Sequence, residues 1–244
     1  MIFLKLAIIS DVHGNLEALT NVLADIDSTD VGSIICLGDC IGYGPDPEAV
    51  ITEIRRRRIP MLMGNHELAL CHPDQLAWFN PLAQTSLRKS LTMLSRDSID
   101  FIAQLPDHQV LDQCLCVHGY PPDSVRTYLF QKSTEALLAT FKQMCEPVCF
   151  VGHTHDLEIV VYDGRRVDRR PLKSGSVLLK SNERYIINVG SVGQPRDGNN
   201  NAKYAIFDTN RWELDIRFVP YDIATTAAKI KAAGLPDSHA NRLW

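Results

Sequence analysis

The chain has 244 residues, 45% of them hydrophobic, enough for one large α/β domain or two small ones with a real core. Its formal net charge of -4 argues against a protein that lives on phosphate backbones, and no segment approaches the ~18 apolar residues of a membrane helix. Seven cysteines, mostly inside apolar runs and without C-x-x-C knuckles, read as reduced thiols filling a core rather than as a zinc site.

The opening run MIFLKLAIISD is apolar enough to suggest a signal peptide. Lys5 interrupts it, however, and no small-residue cleavage site follows, so residues 3–9 are expected to form a buried strand in a cytoplasmic protein. Apolar positions at helical spacing predict a helix over 15–26 with Asn15 as its N-cap, followed by a second strand over 33–37. After the loop Gly42-Tyr-Gly-Pro-Asp-Pro47, a helix over 47–54 closes on the arginines 55–58, where cations suit the negative end of the helix dipole. A short third strand is expected over 60–63. This alternation predicts parallel βαβ units with the ligand site at the carboxyl edge of the sheet. From about 72 to 110 the pattern turns helical, most clearly over 81–94 and 97–105, an insertion that would partly cover a site. Strands over 114–117 and 148–151 flank a helix over 133–144. Beyond 156 come strands over 157–162, 176–179, 185–189, 203–207 and 212–219, expected to form a second sheet, then a final helix over 223–233 capped by Gly234. No internal repeat divides the chain, and 1–244 reads as a single domain.

Each early strand ends in metal-capable groups beside a glycine. The successive ends are Ser10-Asp-Val-His-Gly14, Gly38-Asp39, Gly64-Asn-His-Glu67, His118-Gly119 and Gly152-His-Thr-His155. One Asp or Asn after a strand is ordinary turn chemistry, but a succession of them along one carboxyl edge points to a common centre. His153 and His155 stand two apart, so they face the same way if the strand direction is kept. The mixture of carboxylate, carboxamide and imidazole suits a first-row transition metal better than calcium, and the donors exceed the needs of one ion.

In that order, Asp11-x-His13, Gly38-Asp39, Gly64-Asn65-His66-Glu67, His118 and Gly152-His153-x-His155 resemble the motifs of the calcineurin-like metallophosphoesterase superfamily. The stretch Asn188-Val-Gly-Ser-Val-Gly-Gln-Pro-Arg-Asp-Gly198 is similar to the loop of its small bacterial and archaeal phosphoesterase branch. The resemblance covers nearly the whole chain. It implies an α/β fold, a four-layer αββα sandwich of two mixed β-sheets flanked by helices, built around two divalent metal ions. It further implies that Asp11, His13 and His155 hold one metal and Asn65, His118 and His153 the other, with Asp39 bridging. Manganese is the first expectation, with iron, zinc, nickel, cobalt or magnesium as alternatives. By the same resemblance His66 protonates the leaving oxygen or stabilises the transition state, which makes it catalytic together with Asp39. Asn65 and Arg196 are expected to bind substrate, although Arg196 has the alternative of pairing with Asp197. Glu67 is expected to orient its loop. His72, His108 and His239 match no motif and are expected on the surface or in loops.

Two divalent cations bring four positive charges. The Asp11 and Asp39 carboxylates cancel two and a bridging hydroxide one more, leaving an excess that favours an anionic substrate. The expected activity is hydrolysis of a small phosphate ester by in-line attack of that hydroxide, with neither nucleic acid nor membrane as partner. The related protein serine/threonine phosphatases carry an aspartate-arginine pair where this chain has Gly42-Tyr43, which favours a phosphodiester or nucleotide over a phosphoprotein monoester. Two other readings stand behind these: a metal-binding scaffold without catalysis, opposed by the presence of His66 and the full ligand set, and a nuclease, opposed by the acidic charge balance.

Overall fold

Alternation of side chains along each strand decides the layering. The computed structural model describes residues 5–244, so residues 3 and 4 of the expected first strand lie outside it. In β1 (Lys5–Ile9), Leu6 and Ile8 enter a core between two sheets, while Ala7 and Ile9 enter a second core beneath helices. Helix α1 (Leu16–Asp27) offers Leu19, Val22 and Leu23 to that outer core, and α2 (Pro47–Arg56) adds Val50, Ile51 and Ile54. Between them lies β2 (Val31–Cys36), which pairs in parallel with β1.

The stretch expected as a third strand over 60–63 makes only a one-residue bridge, Met61 to Cys36. Pro60 has no N–H to donate, and the Met63 N–H turns away to the carbonyl of Pro106 at 2.8 Å, so the ladder cannot lengthen. The chain then enters α3 (Asn65–Cys71), a short helix where the sequence suggested only a turn. The expected helical insertion spans a 3₁₀ turn, Pro73–Trp78, then α4 (Pro81–Met93) and α5 (Arg96–Ile102). It ends before 110, because β3 (His108–Leu111) pairs antiparallel with β4 (Cys114–Val117).

After α6 (Thr134–Gln143) come β5 (Val148–Val151), β6 (Leu157–Tyr162), β7 (Val167–Pro171), β8 (Gly175–Leu178) and β9 (Arg184–Val189). The last elements are β10 (Ala202–Asp208), β11 (Glu213–Val219), α7 (Ile223–Ala232) and α8 (Asp237–Asn241). Gly234 ends α7 as expected, in the left-handed region at φ +67°, with its N–H on the Lys231 carbonyl. The strands after 156 do not make a sheet of their own. Instead β8, β10 and β11 join the first sheet, ordered β2-β1-β10-β11-β8, and β6, β7 and β9 join the second, ordered β3-β4-β5-β9-β6-β7. Both sheets are mixed: β1–β2, β4–β5 and β5–β9 are parallel, the other pairs antiparallel. With Leu137 and Phe141 of α6 packed on the outer face of the second sheet, the order is helices, sheet, sheet, helix.

Phe150 of β5 crosses the inter-sheet core to Phe207 of β10, with centroids 5.7 Å apart at 62°. Phe150→Ala removes a fully buried ring, and a loss of about 3–5 kcal/mol is expected in urea denaturation, with little change in the slope.

Candidate metal centre

The strand-end donors meet where the carboxyl ends of the two sheets face each other, not along adjacent strands of one sheet. The loops after β1 and β2 supply Asp11, His13 and Asp39, and those after β4 and β5 supply His118, His153 and His155. Asn65 and His66 open α3. All eight side chains are buried. Three overlapping clusters result, each bringing its donor atoms within 4.8 Å of one another: Asp11 with His13 and His155, Asp39 with His118 and His153, and, between these two, Asp39 with His13 and His66. The Asn65 Oδ1 lies 3.1 Å from the His118 Nε2, beside the second cluster.

Local backbone geometry aims these groups. Asp11, His13, Asp39, His153 and His155 all adopt left-handed φ between 49° and 67°, a region that costs L-residues energy and is held here by cross-links between loops. The Asp11 and His13 N–H groups donate to the carbonyls of Gly38 and Asp39, and the Gly152 N–H donates to that of His118. His153 and His155 therefore do not converge by strand alternation. The strand stops at Val151, and each histidine turns into a different cluster. Two glycines permit the crowding: a Cβ on Gly152 would sit 2.4 Å from Asp11 Oδ2, and one on Gly64 would sit 2.2 Å from Asp39 Oδ1.

Four histidines share one arrangement. The Nδ1 atoms of His13, His118 and His155 face the carbonyls of Ile41, Leu37 and Gln194 at 3.0, 3.1 and 2.6 Å, and Nε2 of His153 faces the carbonyl of Arg126 at 3.2 Å. A carbonyl opposite one ring nitrogen fixes the proton there and leaves the other nitrogen as a lone pair facing the cluster, which is how metal-ligating histidines are held. The carboxylates behave alike: Asp11 Oδ2 accepts the His153 N–H at 3.0 Å and Asp39 Oδ1 the His66 N–H at 2.9 Å, leaving one oxygen of each turned inward. The inward Asp11 Oδ1 is buried without a hydrogen-bond partner. An orphaned carboxylate oxygen amid imidazole lone pairs fits divalent cations.

His66 differs. Its Nδ1 is buried with no partner, and its Nε2 lies 3.8 Å from Asp39 Oδ2. Burial pushes its imidazole down to about 4 and that of His153 to about 3. Against the same burial, the Asp39 charge lifts His118 to about 9, so a cation at this cluster would displace the proton from its inward nitrogen.

The family description "Calcineurin-like phosphoesterase superfamily domain" matches residues 4–211. The chain belongs to that superfamily. It is 31% identical to an uncharacterised protein of Methanocaldococcus jannaschii over 100% of this chain and 99% of that protein. The crystal structure of a metallophosphoesterase from Sphaerobacter thermophilus superposes with a TM-score of 0.85 at 35% identity, covering 99% of this chain and 98% of that one. A hypothetical protein of Pyrococcus horikoshii shares the fold at TM-score 0.80 and 17% identity, with 99% and 98% coverage. The chain is therefore a phosphoric ester hydrolase.

In this phosphoesterase the clusters open into a cleft of about 510 Å³ lined by Asp39, Asn65, His66, His153, His155 and Arg196, among others. Of the two positions considered for Arg196, the structure adopts the one facing the cleft: its guanidinium donates to Gln194 Oε1, while Asp197 pairs with Lys203 at 2.8 Å. Asn15 caps α1 as expected, accepting from the Ala18 N–H. His72 and His108 are exposed. His239 is not: it is buried on α8, edge-on to Tyr43 at 4.9 Å, and Tyr43 in turn packs on His13 and His66. No local sequence signal marks His239. The supporting residues Asn188, Ser191 and Gln194 lie in the stretch 188–198 that resembles the family loop, but no role for them was legible in the sequence. Asn188 donates to the Gly152 carbonyl and the Thr154 hydroxyl, and Ser191 donates to the Asp11 carbonyl, tying β9 to the loops of both sheets.

Glu67 does orient its loop. Its carboxylate accepts the N–H groups of Asp39 and Cys40 at 2.8 Å, Gly64 at 3.1 Å and Ile41 at 3.3 Å. Burial and the Asp39 charge push its carboxyl up, and the Asp39 and Cys40 amides oppose them. Glu67→Ala strips these buried donors of their acceptor, so a stability loss of about 3 kcal/mol or more is expected by denaturant titration, together with weakened metal retention by elemental analysis.

Proposed function

We propose that the protein hydrolyses phosphodiesters or nucleotide-type phosphate esters at a dinuclear centre. Asp11, His13 and His155 would hold one divalent ion, Asn65, His118 and His153 the other, with manganese the first candidate for both. The observation that carries the reading is the position of one oxygen: Asp39 Oδ2 lies 3.7 Å from His13 Nε2 and 3.4 Å from His118 Nε2, between the two clusters, where a bridging carboxylate belongs. When bound, two divalent cations supply a Lewis-acid clamp on phosphate oxygens and an activated water for in-line displacement.

The chain's own residues do the rest. Asn65 lines the cleft beside the second cluster, where its carboxamide would meet the phosphate, and Arg196 adds a guanidinium to the cleft lining. Tyr43 packs against His13 and His66 at 4.6 and 4.8 Å, at the sequence position where the protein phosphatases carry an arginine. His66, free of any backbone carbonyl, is available for proton transfer at Nε2. Its resting imidazole is neutral, and an entering phosphate anion favours the protonated form that can deliver a proton to the leaving oxygen.

Chelation is expected to abolish hydrolysis of bis(p-nitrophenyl) phosphate and manganese to restore it; full turnover by protein shown to be metal-free would overturn the dinuclear reading. His66→Ala is expected to keep its metals and fold while losing ~10²–10⁴-fold in turnover on alkyl or nucleoside esters. The loss should be far smaller on nitrophenyl esters, whose leaving group departs without a proton. Equal losses across esters of graded leaving-group acidity, with metals retained, would replace the acid role by stabilisation of transition-state charge.

A further inference from the structure

The cleft beside Asp39 and His66 has two unlike walls. On one, the rings of Trp78, Tyr128 and His153 lie within 17° of parallel, with centroids 5.8 Å apart for Trp78 and Tyr128 and 4.0 Å for Tyr128 and His153. Phe130 extends the row, stacked on Tyr128 at 5.0 Å. Trp78 is 44% exposed and Phe130 60%, so a large aromatic surface is left open at the edge of a polar site.

The other wall carries Arg196 and Arg242. Among the described residues neither has a carboxylate within ion-pair distance, since Asp197 is taken by Lys203. Arg242 has a fixed base: Ala240 and Leu243 on either side of it are buried with Ile230 and Leu235, and His239 locks α8 against Tyr43. It lies beyond residue 211, where the family match stops, so membership of the superfamily does not assign it.

A single phosphate at the clusters needs neither wall. Parallel ring faces take a planar ring by stacking, and two guanidiniums lining one cleft take a phosphoryl group through charge-assisted bonds. The volume, about 510 Å³, suits a small ligand of that extent. We propose that the cleft is a site for nucleotides with at least two phosphoryl groups. The base stacks on the Trp78–Tyr128 shelf, one phosphoryl group lies at Asp39, and a second is bound by Arg196 and Arg242. The proposal rests on the phosphoesterase reading only for the placement of the phosphoryl group at Asp39.

The test is calorimetric titration of the manganese-loaded protein, manganese in fixed excess, with α,β-methylene-ADP, AMP and methylenediphosphonate. The methylene-ADP should bind about tenfold or more tighter than AMP and roughly fivefold or more tighter than the diphosphonate. Arg242→Ala should erase the first preference while leaving AMP binding unchanged, and Arg242→Lys should restore part of it. Trp78→Ala should erase the second preference while leaving diphosphonate binding unchanged. Both residues are exposed, so circular dichroism is expected to show intact folds. Equal binding of methylene-ADP and AMP by the wild type, or an unchanged ratio in Arg242→Ala, overturns the arginine subsite. Equal binding of methylene-ADP and diphosphonate overturns the base shelf and leaves Trp78 and Phe130 as a protein-contact surface. Failure of ester hydrolysis would refute the proposed activity while leaving these binding ratios intact, so the two failures are separable.

Discussion

Asp11 and Asp39 are buried together, and most of the structure around them compensates that burial. An uncompensated carboxylate in a protein interior costs several kcal/mol, and two side by side cost more through repulsion. Each is met in the same way, with one oxygen on a backbone N–H from a neighbouring loop and the other among imidazoles. Because the His153 N–H serves Asp11 and the His66 N–H serves Asp39, the loop after β5 is tied to the loop after β1, and α3 to the loop after β2. None of these segments can shift without uncovering a charge. Glu67 extends the constraint by gathering the amides that shape the Asp39 turn.

The same requirement explains the strained backbone. Left-handed φ at a non-glycine residue costs about 1–2 kcal/mol, and the site concentrates it at Asp11, His13, Asp39, His153 and His155. Such geometry persists only where the surroundings over-determine it. Here two sheets do so, their strands locked by three layers of apolar side chains and their loops stitched by Asn188, Ser191 and the cross-loop carbonyls. The imidazoles are thereby presented with one nitrogen already committed to a carbonyl, so ligand geometry is fixed before any ion arrives, which is the condition for tight and selective coordination.

The donors were legible in the sequence because each is local: a glycine-flanked Asp, Asn or His at the end of an apolar run. Their sharing between two sheets was not legible, because β1 pairs with β10 across the length of the chain and no local pattern states that. The strand expected over 60–63 failed on a competition that only the fold reveals, between Cys36 and Pro106 for the amides around Met61. Strand β7, Val-Asp-Arg-Arg-Pro, escaped notice because it is an edge strand with little apolar alternation. His239 was misplaced for a similar reason, since its burial comes from Tyr43, remote in sequence.

These differences separate two kinds of information in the chain. The reactive centre is written at strand ends, where the sheets hold each donor and where substitution would expose a buried charge. The cleft walls are drawn from segments between and beyond those ends. Trp78 comes from the start of the helical insertion, Tyr128 from the connection before α6, and Arg242 from the C-cap of the C-terminal helix. The wall positions balance no buried carboxylate, so they can change without disturbing the centre. The walls can therefore vary while the strand-end donors stay fixed, and those donors carry no information on what surrounds the phosphate.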